Sequence, residues 1–266
     1  MNYSLKFKDA VDYAAEQNLF VGFGNPNGKV LVIGKEQAFD HINPPNTREF
    51  LDEILENRAK ENYANLKSWK QNIQHDTTPK WDNMPVGFIN PLYSWGSQLN
   101  VPNRVKDNIG NGGTSNTYLK YQKLHQYLNQ QENKSQRINF QKDFFLSELN
   151  EIATKYSYNG KELKTIRNES IEKRKQLFKM DFFKLFPVTI IAAGHYPRDY
   201  GFDIESIFDV KFVGKTNMVG KDYFNIHLSS DHNRILIHTR QLSMGVTDEL
   251  IKAIAKECIS HYNKNV

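Results

Sequence analysis

Three polar stretches, each following a short apolar run, carry side chains suited to chemistry. The last of them, Ile235–Ser243, reads ILIHTRQLS, so His238 stands at the end of a buried-strand pattern with Arg240, Gln241 and Ser243 behind it. Parallel α/β sheets bury such runs on both faces and hold ligands just outside the carboxyl ends of the strands. A histidine there can donate a hydrogen bond to a departing anion, and Arg240 can contact a phosphate. The competing reading of His238 is a structural hydrogen bond. The first stretch, Gly34–His41 (GKEQAFDH), places Glu36 directly after VLVI. A carboxylate there can activate water or stabilise a developing cation, whereas helix capping or pairing with Lys35 is its structural alternative. Gln37 and His41 are weaker candidates. In the middle stretch, Asn90–Trp95 (NPLYSW), the Asn90 amide offers donor and acceptor together, which suits a base edge, and Tyr93 and Trp95 offer rings to stack. An ordinary Asn–Pro turn with core aromatics explains the same residues.

These side chains need a scaffold, and the hydrophobic spacing outlines one. Residues 5–17 read as an amphipathic helix, 22–28 as a turn-rich approach and 29–33 as the first strand. Phe50, Leu51, Ile54 and Leu55 share one face of a helix over 47–73, capped by Thr47 with Glu49 in its first turn. A short strand fits 86–89. Between about 96 and 186 the chain changes character: an Asn- and Gly-rich loop over 103–116, then helical patterns at 118–131, 141–156 and 164–183. Strands return at 188–193, 208–213, 223–228 and 234–238, and a last helix over 247–262 starts at Thr247 with Asp248 and Glu249 complementing its dipole. Strands interleaved with helices predict an α/β fold, a three-layer α/β/α arrangement around a mostly parallel central sheet. One domain spanning 1–266 is expected, with a helical and loop insertion at about 96–186.

Composition narrows the partners. A formal charge of +5 permits a nucleic-acid partner without demanding one, and 13 Lys or Arg against 7 Asp or Glu between Tyr118 and Met180 concentrate the excess. A solvated helical face accounts for the same surplus. With the single cysteine Cys258 no intrachain disulfide can form, and no CxxC pair supports a zinc ribbon or an iron–sulfur cluster. Cys258 falls in phase with Ile251 and Ile254, as a core residue would. No signal-peptide core or run of transmembrane length is present, so a soluble cytoplasmic protein with no membrane partner is expected. Gly24–Lys29 (GNPNGK) precedes a strand instead of joining strand to helix, and there is no HExxH, GxSxG or dinucleotide fingerprint. Neither a metal nor a cofactor is expected.

In their order along the chain, the three stretches resemble the uracil-DNA glycosylase superfamily. Gly34-Lys35-Glu36-Gln37 resembles its first motif, Asn90 the strand-end asparagine that reads a flipped base, and His238-Thr239-Arg240-Gln241-Leu242-Ser243 its closing motif; Pro187–Tyr196 (PVTIIAAGHY) looks like its internal strand. The resemblance implies a DNA N-glycosylase acting on single- or double-stranded DNA, which must flip the base out of a duplex before cleaving its glycosidic bond. Glu36 would stabilise the sugar cation and orient water, and His238 would donate to the departing base. Asn90 would select that base, with Phe39, Phe50 or Tyr93 beneath its ring. Arg240 and Ser243 would contact the nucleic-acid backbone, together with the basic helical segment.

Gln37 stands where the family usually has proline, and Thr239-Arg240-Gln241 where it has Pro-Ser-Pro. Those positions support an alternative: a nucleic-acid-binding protein on the same fold without catalysis. A third reading is an enzyme of free nucleosides or nucleotides, the insertion closing over its site. Affinity rising with oligonucleotide length would separate it from the first two.

Overall fold

The computed structural model describes residues 1–36, 42–45, 47–78, 116–131, 139–154, 161–243 and 245–264. Seven strands form one sheet: β1 (Phe23–Gly24), β2 (Val30–Gly34), β3 (Phe144–Glu148), β4 (Val188–Ala192), β5 (Lys211–Val219), β6 (Asp222–Leu228) and β7 (Ile235–Thr239), ordered β1-β3-β2-β4-β7-β6-β5. The central four, β3-β2-β4-β7, run parallel, while β1 on one side and β6 and β5 on the other are antiparallel additions. Among the described residues the longer helices are α1 (Leu5–Gln17), α2 (Arg48–Gln74), α3 (Asn116–Leu128), α4 (Lys161–Phe178) and α5 (Asp248–Lys264). The α/β class expected from the alternating patterns is the one observed.

Local sequence accounts for most of these elements. The runs VLVI, VTIIA and ILI are buried strands because apolar side chains on both faces leave no side for water. Ser4 caps α1 by accepting from the Phe7 amide at 3.2 Å, and Phe7, Ala10, Val11 and Ala14 form its buried stripe. Thr47 caps α2 in the same way, as its hydroxyl accepts from Phe50 N at 3.2 Å. Phe7 then meets Trp69 of α2, Phe145 of β3 and Phe182, at ring-centroid distances of 4.9, 5.9 and 4.8 Å. Such edge-on and tilted contacts add to the burial of large rings. Thr247 caps α5 through Leu250 N, and Lys123 of α3 pairs with Asp248 at 2.7 Å, tying these two helices together. Cys258 is fully buried, as its phase predicts.

The structure corrects two expectations. Residues 141–156, whose spacing predicts a helix, contain β3, paired in parallel with β2 from Val30↔Phe144 to Gly34↔Glu148. The middle of the segment expected to be a helical insertion is therefore part of the sheet's centre. Residues 208–213 do not start a strand: Phe208 ends a one-turn helix (Ile204–Phe208), and β5 begins at Lys211 and continues to Val219. The strand expected at 86–89 lies outside the described residues.

Candidate active site

The carboxyl ends of β2, β3, β4 and β7 share one edge, and the polar groups collect there. Backbone pairing continues past the strands, Leu149 N donating to Gly34 O at 2.9 Å and Asn150 N to Lys35 O at 2.8 Å. This holds Glu36, just beyond β2, beside Asn150, just beyond β3. Asn150 Nδ2 donates to Glu36 Oε2 at 3.4 Å, while its Oδ1 accepts from Ile152 N at 3.1 Å. From the far side of β2, the Tyr196 hydroxyl donates to Glu36 Oε1 at 3.0 Å. Lys35 Nζ lies 4.2 Å from the centroid of the Tyr196 ring.

The electrostatics make Glu36 a poised base. Burial pushes its carboxyl above the usual range, opposed by the Lys35 charge, the Tyr196 hydrogen bond, the Arg167 charge and the Asn150 amide. Burial, and then the Glu36 charge, raise the Tyr196 phenol, which stays a donor. Arg167 is itself buried and donates to Thr154 Oγ1 at 2.8 Å. A carboxylate so held, ionised yet poorly solvated, is able to take a proton from water.

Behind Glu36 lies a second set of carboxylates. Glu148 faces Gly34 across the β2/β3 ladder, and its Oε2 would be 2.3 Å from any Cβ added at Gly34, so only glycine leaves room for it. That oxygen has no hydrogen-bond partner among the described residues. Burial, the Glu36 and Glu61 charges together push Glu148 up to about 8, with Arg174 opposing; Glu61 is likewise pushed up to about 8 by burial and Glu151.

This has a consequence for stability. Between the unfolded carboxylate pKa of about 4.3 and the folded value, the native state keeps a proton that the unfolded chain has released. The stabilisation from Glu148 is therefore complete below the unfolded pKa and declines as pH rises to about 8. Glu148→Gln has no proton to lose, so its melting temperature relative to wild type should climb between pH 6 and pH 9. Parallel melting curves across that range would show that Glu148 does not titrate there.

On the other side of β4, the half-buried His238 sends Nε2–H to Gly194 O at 2.7 Å. Gly194 follows β4 with φ of 59°, a left-handed turn that aims its carbonyl at the ring. Burial draws His238 below its usual pKa, against the Gly194 hydrogen bond, so the imidazole is neutral at pH 7. Donating to a ligand requires that N–H to leave the Gly194 carbonyl. Asn225 stands opposite His238 in the β6/β7 ladder, and its buried Oδ1 has no hydrogen-bond partner among the described residues. Arg240 donates to the buried Asp222 at 2.7 Å, so one nitrogen of its fork is engaged within the protein. Ser243, half-buried, donates its backbone N–H to Gln241 O at 3.0 Å.

Of the residues singled out in the sequence, Glu36 and His238 share this edge, on strands separated by β4. Asn90, Phe39 and Tyr93, with Gln37, His41 and Trp95, lie outside the described residues. Phe50 is not available for stacking: it is 1% exposed in a small core with Ile54, Ile152 and Leu163. The basic segment is corrected in part, because Arg167 and Arg174 are buried and bonded internally, while Lys161, Lys164, Lys173 and Lys179 face solvent. Sequence reasoning missed Asn150 and Tyr196; each sits directly after a buried run, in FFLSELN and VTIIAAGHY. Among the described residues no group of three or more His, Cys, Asp or Glu could hold a metal ion, and no helix is long and apolar enough to cross a membrane. No protein-family model, curated protein or solved structure matches the chain.

Proposed function

We propose that the chain hydrolyses the N-glycosidic bond of a flipped uracil or modified base in DNA, on a three-layer α/β/α fold like that of the uracil-DNA glycosylases. The observation that carries this reading is Glu36, held between the Tyr196 hydroxyl and the Asn150 amide on the same sheet edge as His238. Strands β2 and β7 are two interstrand spacings apart, roughly 10 Å, which leaves room for a sugar and its base between the two side chains. In the reaction the C1′–N bond breaks with its electron pair going to the base, and a water oxygen forms the new bond to C1′. Glu36 stabilises the sugar cation and takes the water's proton. His238, its N–H released from Gly194, donates to the negative charge on the departing base. Asn150 holds Glu36 in register, and a base-selecting role remains with Asn90.

A nucleic-acid-binding protein without catalysis is the second reading. It is favoured by one observation, the engagement of the His238 N–H with Gly194.

The test is base release from single- and double-stranded oligonucleotides carrying uracil or other modified bases, with alkali to reveal abasic sites and free nucleosides assayed in parallel. Wild type should release base, and His238→Ala should be slower by roughly 10²–10³, as for other preorganised donors to a developing anion. Full activity in His238→Ala would remove that residue from the mechanism. Salt-sensitive binding with no release from any substrate would favour the non-catalytic reading.

A further inference from the structure

The antiparallel hairpin β5–β6 is not needed to build the candidate active site, yet it projects past the edge where that site lies. In the β6/β7 ladder Phe224 pairs with Thr239 and Asn225 with His238. The turn at Gly220–Lys221 therefore extends beyond the carboxyl end of β7 by roughly 10 Å, at about 3.4 Å per residue. Two contacts anchor its base to the loop after His238: Thr239 Oγ1 donates to Tyr223 O at 2.6 Å, and Arg240 donates to Asp222 at 2.7 Å.

The surface of this arm is unusual for an edge strand. From Lys211 to Thr216 every residue of β5 is exposed, and Met218 is 64% exposed near the tip. Lys211, Lys215 and Lys221 carry positive charge, with no acidic residue between the first and the last. Lys211 pairs with Glu205 at 3.1 Å, but Lys215 and Lys221 have no ion-pair partner among the described residues. The exposed Arg198 and the half-exposed Arg240 both act on Tyr223, so the positive field continues from the hairpin to the site. Lysines flanking a protruding apolar side chain complement a polyanion with stackable bases, since lysines neutralise phosphates and methionine is among the side chains that wedge between base steps.

Resting on the glycosidase reading above, we infer that the β5–β6 hairpin is a DNA-binding arm: Lys215 and Lys221 take the backbone beside the flipped nucleotide, and Met218 wedges against the adjoining base step.

The test uses the full chain, a fluorescent duplex of about 20 base pairs carrying the base released by wild type (or uracil if none is), and anisotropy across a salt series. Lys215→Glu/Lys221→Glu should bind about tenfold or more weakly near 0.1 M salt. Its slope of log affinity against log salt should fall by about 1.4–1.8, from about 0.7–0.9 per lost phosphate contact. Met218→Ala should weaken binding with the slope unchanged. Release at saturating DNA should match wild type in every variant, because none of these residues belongs to the catalytic group. Wild-type binding with unaltered affinity and slope in the double variant would overturn the arm while leaving the glycosidase reading intact. Failure of wild type to bind any duplex or single strand at low salt would overturn both. Sedimentation without DNA supplies the last arm: a dimer that Met218→Lys dissociates would make β5 a self-association edge and overturn the inference.

Discussion

Arg174→Ala should lower the unfolding free energy by about 3–5 kcal/mol, the range for removing one partner of a buried ion pair. Arg174 is 0% exposed, and its whole fork is engaged. Nε donates to Glu148 O at 2.9 Å, Nη2 to Ser147 Oγ at 2.6 Å, and Nη1 to Phe20 O and, at 3.1 Å, to Glu151 Oε1. One side chain on α4 thus joins the end of β3, the turn after it and the segment leading to β1. Truncation strands the Glu151 carboxylate, which is 7% exposed, and leaves two buried carbonyls short of a donor. Glu151 keeps only the Phe20 amide at 2.6 Å and the Asn62 amide at 3.3 Å, too little to hold a buried charge. Arg174→Lys retains the charge but not the planar fork, and should lose less than alanine and more than a surface substitution. Urea unfolding of the three proteins measures this directly. A loss under about 1 kcal/mol for alanine, the value of an ordinary exposed pair, would mean that the knot contributes nothing beyond packing.

The same knot explains why part of the site is hidden in the sequence. Strands β2, β4 and β7 are legible as apolar runs bounded by turn residues, so Glu36 and His238 emerge at strand ends from the sequence alone. In β3 the run FFL is followed by Ser147 and Glu148, and Phe145, Leu149, Ile152 and Ala153 then fall at helical spacing. A short apolar run interrupted by polar residues satisfies either period, so local pattern cannot decide between them. What decides is tertiary. Ser147 is buried because its hydroxyl donates to Val21 O at 2.8 Å and accepts from Arg174. Glu148 is buried because Gly34 leaves room opposite it. Both partners are distant in sequence or lack a side chain, so no windowed reading finds them. With β3 concealed, Asn150 looks like a surface residue of a helix and not the neighbour of Glu36. The charge surplus over 118–180 misleads for a related reason: a count of basic residues does not distinguish lysines in water from Arg167 and Arg174 within the fold.

Glu36→Gln should leave the fold intact and slow base release by roughly 10²–10⁴, the contribution of a positioned general base. The substitution keeps shape and removes only charge and basicity. Its amide oxygen can still accept from Tyr196, and loss of a buried negative charge relieves the desolvation that raises the carboxyl. The cost is at Asn150, whose Nδ2 would face a second amide donor. Turning Asn150 over to relieve this sacrifices its 3.1 Å contact with Ile152 N, so the melting temperature should move little in either direction. The pH profile separates a base from a structural carboxylate. Because Glu36 must be ionised to act and its pKa is raised, wild-type activity should fall as pH drops through a value above the ordinary carboxylate range, and Glu36→Gln should lack that limb. Tyr196→Phe removes a hydrogen bond that favours the ionised form, so its acidic limb should move to higher pH while the plateau rate is largely kept. A merely structural Tyr196 would lower the rate at every pH and leave the limb in place. Wild-type release by Glu36→Gln would mean that the water is activated elsewhere, and the reading built on this sheet edge would fall with it.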